Sequence, residues 1–224
     1  MSAFSNKVAV LTGGNNGIGL ATAKEVTNGV RNRTIVVLVV WFLFALSGSL
    51  LGAFDSGPRP PLLLGLAFVV PVAAFVACYL TSARFREFVL SLDLRGLALA
   101  QMFRVVGIVF VILYFLGALP GAFALPAGWG DFAIGITAPV VAWSWKRPFP
   151  KRTFIVWNVL GSLDLVNAVT LGVLASSSSV GILAGDVTTR LMGQFPLSLI
   201  PTFFVPLLLI FHLICFIRVG KGVA

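Results

Sequence analysis

The sequence predicts an all-α fold, that of a polytopic membrane protein built as a bundle of six transmembrane helices with one interfacial amphipathic helix. Three observations predict it. Of the 224 residues, 58% are hydrophobic and only 10% are charged, whereas soluble domains average about 25% charged residues. Six apolar runs follow one another, each long enough to cross a hydrocarbon core of roughly 30 Å. The basic residues lie mostly between these runs.

The six predicted spans hold about 19 to 23 residues each, which suits a bilayer crossing with modest tilt. They cover residues 34–54, 62–80, 97–119, 127–145, 153–175 and 197–219. Residues 1–33 then form a cytoplasmic N-terminal segment, residues 34–219 the transmembrane domain, and residues 220–224 a cytoplasmic tail.

The positions of Lys and Arg predict which side each loop occupies. The net charge is +9. With the N-terminus inside, thirteen basic residues fall in cytoplasmic segments and only Arg59 and Arg190 fall in outer loops. Positively charged loops stay on the cytoplasmic side, so we expect both termini in the cytoplasm. The same charges favour anionic lipid at the cytoplasmic face as a partner, and we expect no nucleic-acid partner.

The segment between the second and third spans, residues 81–96, has the period of an amphipathic helix. Phe85, Phe88, Val89 and Leu92 recur at the spacing of one helix face. A helix of this kind can lie flat on the membrane surface. We expect a connector anchored by its apolar face, and a gating or partner-docking helix is the alternative.

Residues 7–26 carry a different signal, in which a short β-like run is followed by a glycine-rich turn and a helix start. Turns of this type bring backbone N–H groups close to a phosphate. The segment closely resembles the nucleotide-binding turn of the short-chain dehydrogenase/reductase family, whose TGxxxGxG pattern matches at Thr12, Gly13, Gly17 and Gly19. The resemblance implies an NAD(P)-binding strand, turn and helix over these residues.

The rest of the chain departs from that family. No second strand and no acidic ribose partner follow. The family's Tyr-x-x-x-Lys pair is missing, because Tyr79 is followed four residues on by Ala83 and Tyr114 by Ala118. An isolated strand and helix bury too little surface to offset their ordering entropy. We therefore interpret residues 1–33 as a dehydrogenase-like remnant without catalytic or cofactor-binding residues.

Polar side chains inside the apolar runs form the candidate site. Asp164 lies roughly 16 Å from the inner edge of its span at 1.5 Å per residue, near the middle of the hydrocarbon. Four others lie at roughly 6 to 10 Å and two at roughly 21 Å. A polar or ionisable group at such depth is costly and is a functional-site hypothesis by default. The candidates are Gln101, Arg104, Asp131, Asn158, Asp164, Asn167 and His212.

The depths suggest pairings within this set. Arg104 is long enough to reach Asp164, while Asp131 and Asn167 are level and could hydrogen-bond. The functional interpretation is a polar pocket or proton path, with Asp164 as the titrating group, Arg104 as its counter-ion and His212 as a relay. The structural alternatives are an Arg104–Asp164 pair that sets helix register, an Arg104 that snorkels to the headgroups, and an Asp131 that caps the fourth span.

Small residues predict which helix faces meet. Gly48 and Gly52 form a GxxxG pair in the first span, and small residues share a face with Asp131 in the fourth span and with Asp164 in the fifth. Because small residues let helix backbones approach closely in lipid, both aspartates should point into the bundle. Four prolines within the spans, Pro71, Pro139, Pro201 and Pro206, can kink their helices or free a backbone carbonyl.

Several segments resemble a second group of proteins. RGLALAQMFRVVG, LPAGWGDFAIGITAPVVAW and PLSLIPTFFVPLLLIFHL, within residues 95–142 and 196–213, are similar to segments of uncharacterised six-span bacterial integral membrane proteins. This resemblance covers residues 34–218. It implies a multi-pass protein of the bacterial inner (plasma) membrane, without a known activity.

The leading functional hypothesis is a small transporter or channel-like protein that uses an intramembrane layer of Arg104, Asp164 and His212. The alternative is a structural or accessory membrane subunit. A membrane enzyme acting on lipid or quinone is less favoured, and an NAD(P)-dependent short-chain reductase is the remote alternative. His212 is the only histidine and no cluster has zinc spacing, so we expect no metal and no cofactor. The lipid bilayer is the expected partner, and a homo-oligomer is compatible with the sequence. The sequence does not specify which solute a transporter of this kind would carry.

Overall fold

The computed structural model describes residues 18–144 and 150–222, with side chains from residue 28 onward. All regular secondary structure in this part of the chain is helical. The α-helices are α1 (Ile18–Leu50), α2 (Leu62–Thr81), α3 (Ala83–Ser91), α4 (Leu94–Ala100), α5 (Ile108–Phe115), α6 (Gly121–Trp143), α7 (Lys151–Leu174) and α8 (Val205–Gly220). Between them lie 3₁₀ segments at Gln101–Gly107 and Thr189–Gly193 and a π turn at Ile200–Phe204.

Six segments of the described chain are long and apolar enough to cross a membrane, as the sequence predicts. They are Asn28–Leu50, Leu62–Thr81, Leu94–Phe115, Gly121–Trp143, Lys151–Leu174 and Ile200–Gly220. We compare the buried fraction of the most apolar stretch in each span. It is 50% in the last span and only 6% in the second. The last span therefore lies at the centre of the bundle, and α2 lies at its edge.

The first helix ends earlier than predicted, at Leu50, because Gly52 adopts a φ of +69°. The N–H groups of Gly52 and Ala53 bond back to the carbonyls of Ser49 and Gly48 at 3.1 and 2.9 Å, which closes the helix as a Schellman motif. The predicted GxxxG contact face is therefore wrong. Gly48 instead makes room for a ring, since a Cβ there would lie 2.9 Å from Phe54.

The fourth span begins earlier than predicted, at Gly121 instead of residue 127. Pro120 directly precedes it, and proline is well suited to a helix N-terminus because it has no N–H to leave unpaired. Asp131 consequently lies in the interior of α6, so the expected capping role of Asp131 is wrong.

Helix α3 confirms the amphipathic helix predicted within residues 81–96. Ser82 caps it by accepting a hydrogen bond from the Phe85 N–H at 3.3 Å. Phe88 and Val89 are buried in one cluster with residues of α2 and α8. The apolar face that we expected to anchor in lipid contacts the protein's own helices instead.

The predicted strand and most of the glycine turn, including Thr12, Gly13 and Gly17, lie outside the described residues. Gly19 lies in the first turn of α1, and this helix runs without a break across the predicted boundary at residue 33.

The buried apolar side chains form two large clusters with polar residues between them. In each of the third, fourth and fifth spans, an ionisable residue separates a member of one cluster from a member of the other. The series are Ala98, Arg104, Phe110; Ile134, Asp131, Ala127; and Trp157, Asp164, Ala168. The charged side chains thus meet at one level of the bundle.

Candidate functional site

The guanidinium of Arg104 joins α6 and α7 in the interior of the bundle. Its side chain is 1% exposed. Nε donates to Oδ1 of Asp131 at 2.7 Å, Nη1 donates to the Gly161 carbonyl at 3.0 Å, and Nη2 donates to Oδ2 of Asp164. The predicted Arg104–Asp164 pair is therefore present. The snorkelling alternative is wrong, because the side chain points into the bundle.

The 3₁₀ segment explains why Arg104 points inward. With 3.0 residues per turn, side chains three apart lie directly above one another. Gln101, Arg104 and Gly107 therefore form one row, and all three are buried. In an α-helix each would be turned by about 60° from the one before, so the row would drift away from the bundle. The apolar run in the sequence predicts the span but not this change of helix type.

His212 holds the guanidinium from the side of α8. Its Nε2 lies 3.3 Å from Nη1 of Arg104 and its Nδ1 lies 2.8 Å from Oδ1 of Asn158. Arginine can only donate, so Nε2 accepts and Nδ1 carries the proton. Asn158 has its own orientation set, because its Nδ2 donates to the Phe154 carbonyl at 2.8 Å. The hydrogen bonds thus select a neutral imidazole with one tautomer.

Three glycines provide the space that these side chains occupy. A Cβ on any of them would overlap the neighbouring polar side chain or lie within 2.6 Å of it. Sequence reasoning placed one of them on a packing face and assigned none to the site. The sequence signal that identifies such glycines is a glycine inside a predicted helix at nearly the same depth as an ionisable residue. Glycine is otherwise unfavourable within a helix, so its presence there calls for an explanation. The pairs are Gly107 with Asp131, Gly130 with Asp164, and Gly161 with His212.

The five side chains of Arg104, Asp131, Asn158, Asp164 and His212 are called the Arg104 cluster below. It contains one guanidinium and two carboxylates, whose side chains are 10% and 14% exposed at Asp131 and Asp164. Among the described residues, Arg104 is the one cation that contacts them. An uncompensated buried charge costs several kcal/mol, so a proton or a cation is needed to neutralise the second carboxylate.

The other two predicted residues lie apart from this cluster. Gln101 is one 3₁₀ turn from Arg104 and donates from Nε2 to the Leu208 carbonyl at 3.1 Å, while its buried Oε1 has no partner among the described residues. Asn167 is exposed on α7. The expected Asp131–Asn167 hydrogen bond does not form, because Asp131 bonds to Arg104 instead.

A cavity adjoins the cluster at Asp131. It holds about 840 Å³ of empty space, including the part open to the outside. Helices α2, α5, α6 and α7, the loops after α1 and α7 and the start of the last span form its walls, and most lining side chains are apolar. The lining includes Gly65, Phe68, Phe110, Phe123, Asp131 and Val169.

Polar contacts between two loops lie at the other end of the cavity. Arg190 donates from Nε to Oδ1 of Asp55 at 3.1 Å, and Gln194 donates from Nε2 to Oδ2 of Asp55 at 3.1 Å. The hydrogen bonds from Arg190 and Gln194 lower the pKa of the Asp55 carboxyl below its usual value and keep it ionised at neutral pH. The loop after α7 is thereby tied to the loop after α1.

Comparison with known proteins supplies a family but no activity. Neither a curated protein nor a solved structure matches the chain. A model of a domain of unknown function, DUF8737, matches residues 61–219. This range runs from the start of α2 to the last turn of α8 and includes the whole Arg104 cluster. Because it spans more than half of the sequence, the chain belongs to the DUF8737 family.

Proposed function

We propose that the protein is a small membrane transporter or channel-like protein that passes protons through the Arg104 cluster. The observation that carries this proposal is the charge imbalance, in which Asp131 and Asp164 share the single guanidinium of Arg104. Binding of one proton neutralises the cluster and its release restores the negative charge. A buried group that can change charge in this way is what a proton path through hydrocarbon requires.

Within this proposal, Asp164 is the titrating group, since its side chain is the more exposed of the two carboxylates. Arg104 is the fixed counter-ion. His212 is a positioning residue for Arg104, because both of its ring nitrogens already have partners. A relay role for His212 would require a tautomer change that breaks its hydrogen bond to Asn158.

Proton flux into liposomes tests the proposal. The full chain is reconstituted, a potassium diffusion potential is imposed, and internal pH is followed with an enclosed dye. We expect flux above that of empty liposomes, and Asp164→Asn should lower it at least tenfold because an amide cannot release a proton. Asp186→Asn is the matched control, since Asp186 is an exposed loop carboxyl. Wild-type flux no greater than that of empty liposomes, or equal flux in Asp164→Asn, would contradict the proposal.

A structural or accessory role is the second candidate, and one observation favours it. Every nitrogen of the Arg104 guanidinium has an acceptor, as expected of a group that sets the register of packed helices. Under this alternative, wild-type protein shows no flux and Asp164→Asn loses stability. The flux experiment, repeated with a thermal unfolding measurement on each variant, separates the two candidates.

We further infer a multi-pass location in the cell's inner (plasma) membrane, with both termini in the cytoplasm and with anionic lipid contacting the basic cytoplasmic segments. Two observations support this inference. Large apolar side chains such as Val37, Phe44 and Leu51 are more than 60% exposed, which suits a surface in contact with lipid. Nearly all basic residues fall on one predicted side.

A further inference from the structure

We propose that the cavity beside Asp131 binds a hydrophobic organic cation, with its charge at the Asp131 carboxylate and its apolar body against the cavity walls. A quaternary ammonium or a phosphonium with apolar substituents belongs to this class. A role in transport for this cation, as a second substrate beside the proton, rests on the function proposed above, whereas binding itself can be measured independently.

The charge that Asp131 contributes to the cavity lining selects a cation. Oδ1 of Asp131 accepts from Arg104, and Oδ2 accepts no hydrogen bond from the described residues. Asp131 lines the cavity, but Arg104 does not. A molecule that enters therefore meets the carboxylate of an uncompensated pair, while the guanidinium that would attract an anion is covered.

The walls select a hydrophobic body. Phe68, Phe110, Phe123 and Val169 line the cavity together with Asp131, and aromatic faces attract cations whose water has been removed. A small hydrated ion would lose its water here and regain few oxygen ligands in return. A cation with its charge spread over a large apolar group loses little hydration, and the apolar lining can replace the contacts that its substituents make with water.

The opposite end of the cavity adds no competing charge. Asp55 and Arg190 form an ion pair there, so together they are neutral. The strongest unbalanced charge that the cavity presents is thus at Asp131, which places the cationic group of the ligand beside that carboxylate.

Two ions of the same shape and opposite charge provide the probes. Tetraphenylphosphonium is the cation, and tetraphenylborate is its anionic counterpart. The full chain is purified in a zwitterionic detergent, and binding of each ion is measured by calorimetry. We expect saturable binding of tetraphenylphosphonium only, with an affinity at least tenfold lower in Asp131→Asn because the amide carries no charge.

A second variant keeps the test decisive if Asp131→Asn does not fold. Gly65 lines the cavity and has no atom within 4 Å of where its Cβ would be, so the Cβ of Gly65→Leu meets no neighbour, and the added side chain should take up cavity space and lower the affinity at least tenfold. Gly29→Leu is its matched control, because Gly29 also has open space around it but lies outside the cavity lining.

The outcomes are distinguishable from those of the flux experiment. Equal binding of both ions, non-saturable uptake, or unchanged affinity in Gly65→Leu would overturn the cavity as a cation site. Saturable phosphonium binding without proton flux would support the site and contradict proton transport. Proton flux without phosphonium binding would leave the transport proposal standing and remove this substrate class.

Discussion

At the scale of single residues, the network around Arg104 leaves little freedom to its members. Asn158 receives the His212 Nδ1–H, and His212 in turn receives an N–H from Arg104. Each group is buried, with relative exposures of 1% for Asn158 and 0% for His212. A buried donor that loses its acceptor costs about 1–3 kcal/mol, so the cluster is sensitive to changes in residues that never contact the carboxylates.

Asn158→Leu tests this dependence. The leucine removes the acceptor for the His212 Nδ1–H, and we expect a loss of about 1–3 kcal/mol in the free energy of unfolding. Reversible unfolding in mixed detergent micelles measures it. Asn167→Leu on the same helix is the matched control, because Asn167 is exposed and should tolerate an apolar residue without loss. Equal losses in both variants would show that the His212–Asn158 hydrogen bond contributes nothing specific.

At the scale of helices, the 3₁₀ segment determines how the third span meets α6. Gly107 faces the Asp131 side chain, and Gly128 and Gly135 of α6 face the backbone of the third span, where an added Cβ would lie within 3.0 Å of the Gly107 carbonyl and of the Val105 nitrogen. Glycines on both sides therefore let the two backbones approach closely, which brings Asp131 within hydrogen-bonding distance of Arg104.

Gly107→Ala should disturb this contact. The added methyl group overlaps the Asp131 side chain, and overpacking typically costs about 1–3 kcal/mol. Thermal unfolding of the purified protein should show a lower midpoint. Gly29→Ala is the control, since its Cβ would meet no neighbour and alanine favours helices. An unchanged midpoint in Gly107→Ala would mean that the close approach of the third span and α6 is not needed for stability.

At the start of the last span, a proline leaves a backbone carbonyl available to a hydrogen-bond donor from a neighbouring helix. Pro206 has no N–H to donate to the carbonyl of Thr202, four residues earlier. Trp41 of α1 donates to that carbonyl from Nε1 at 3.2 Å, and its ring lies 4.8 Å from that of Phe203. The expectation that Pro206 frees a carbonyl is confirmed, and the freed group holds α1 against the bundle.

At the scale of the whole molecule, the basic residues and the exposed residues are distributed along two different directions. The basic residues separate the two ends of the bundle along the expected membrane normal. Exposure separates the inside of the bundle from its rim, since α1 and α2 contribute few buried residues and the last span contributes many. Both patterns suit a protein that spans a bilayer once per helical segment.

Cysteine labelling tests the predicted orientation. Cys78 and Cys215 are the only cysteines, so Cys78→Ser and Cys215→Ala provide a cysteine-free background. A membrane-impermeant maleimide added to intact cells should label Asp186→Cys, in the predicted outer loop, and should label Lys221→Cys only after the membrane is opened. Both replaced side chains are exposed. Labelling of Lys221→Cys in intact cells would contradict cytoplasmic termini.

Composition and periodicity were enough to predict six helical spans, because a long apolar run in hydrocarbon must satisfy its backbone hydrogen bonds internally. They also predicted the Arg104–Asp164 pair, since the difference in depth is within reach of an arginine side chain. Depth, however, is only one coordinate of a residue in a bundle. Rotation about the helix axis and the position of the first helical residue are set by contacts with neighbouring helices.

Those contacts decide the features of the site that the sequence alone does not predict. The earlier start of α6 moved Asp131 from an expected cap to the Arg104 cluster. The 3₁₀ segment aligned Gln101 with Arg104, and rotation of α7 left Asn167 exposed. The second carboxylate on Arg104, and with it the charge imbalance and the acidic end of the cavity, therefore arises only when the third, fourth and fifth spans pack together, because no local pattern specifies which faces of separate helices meet.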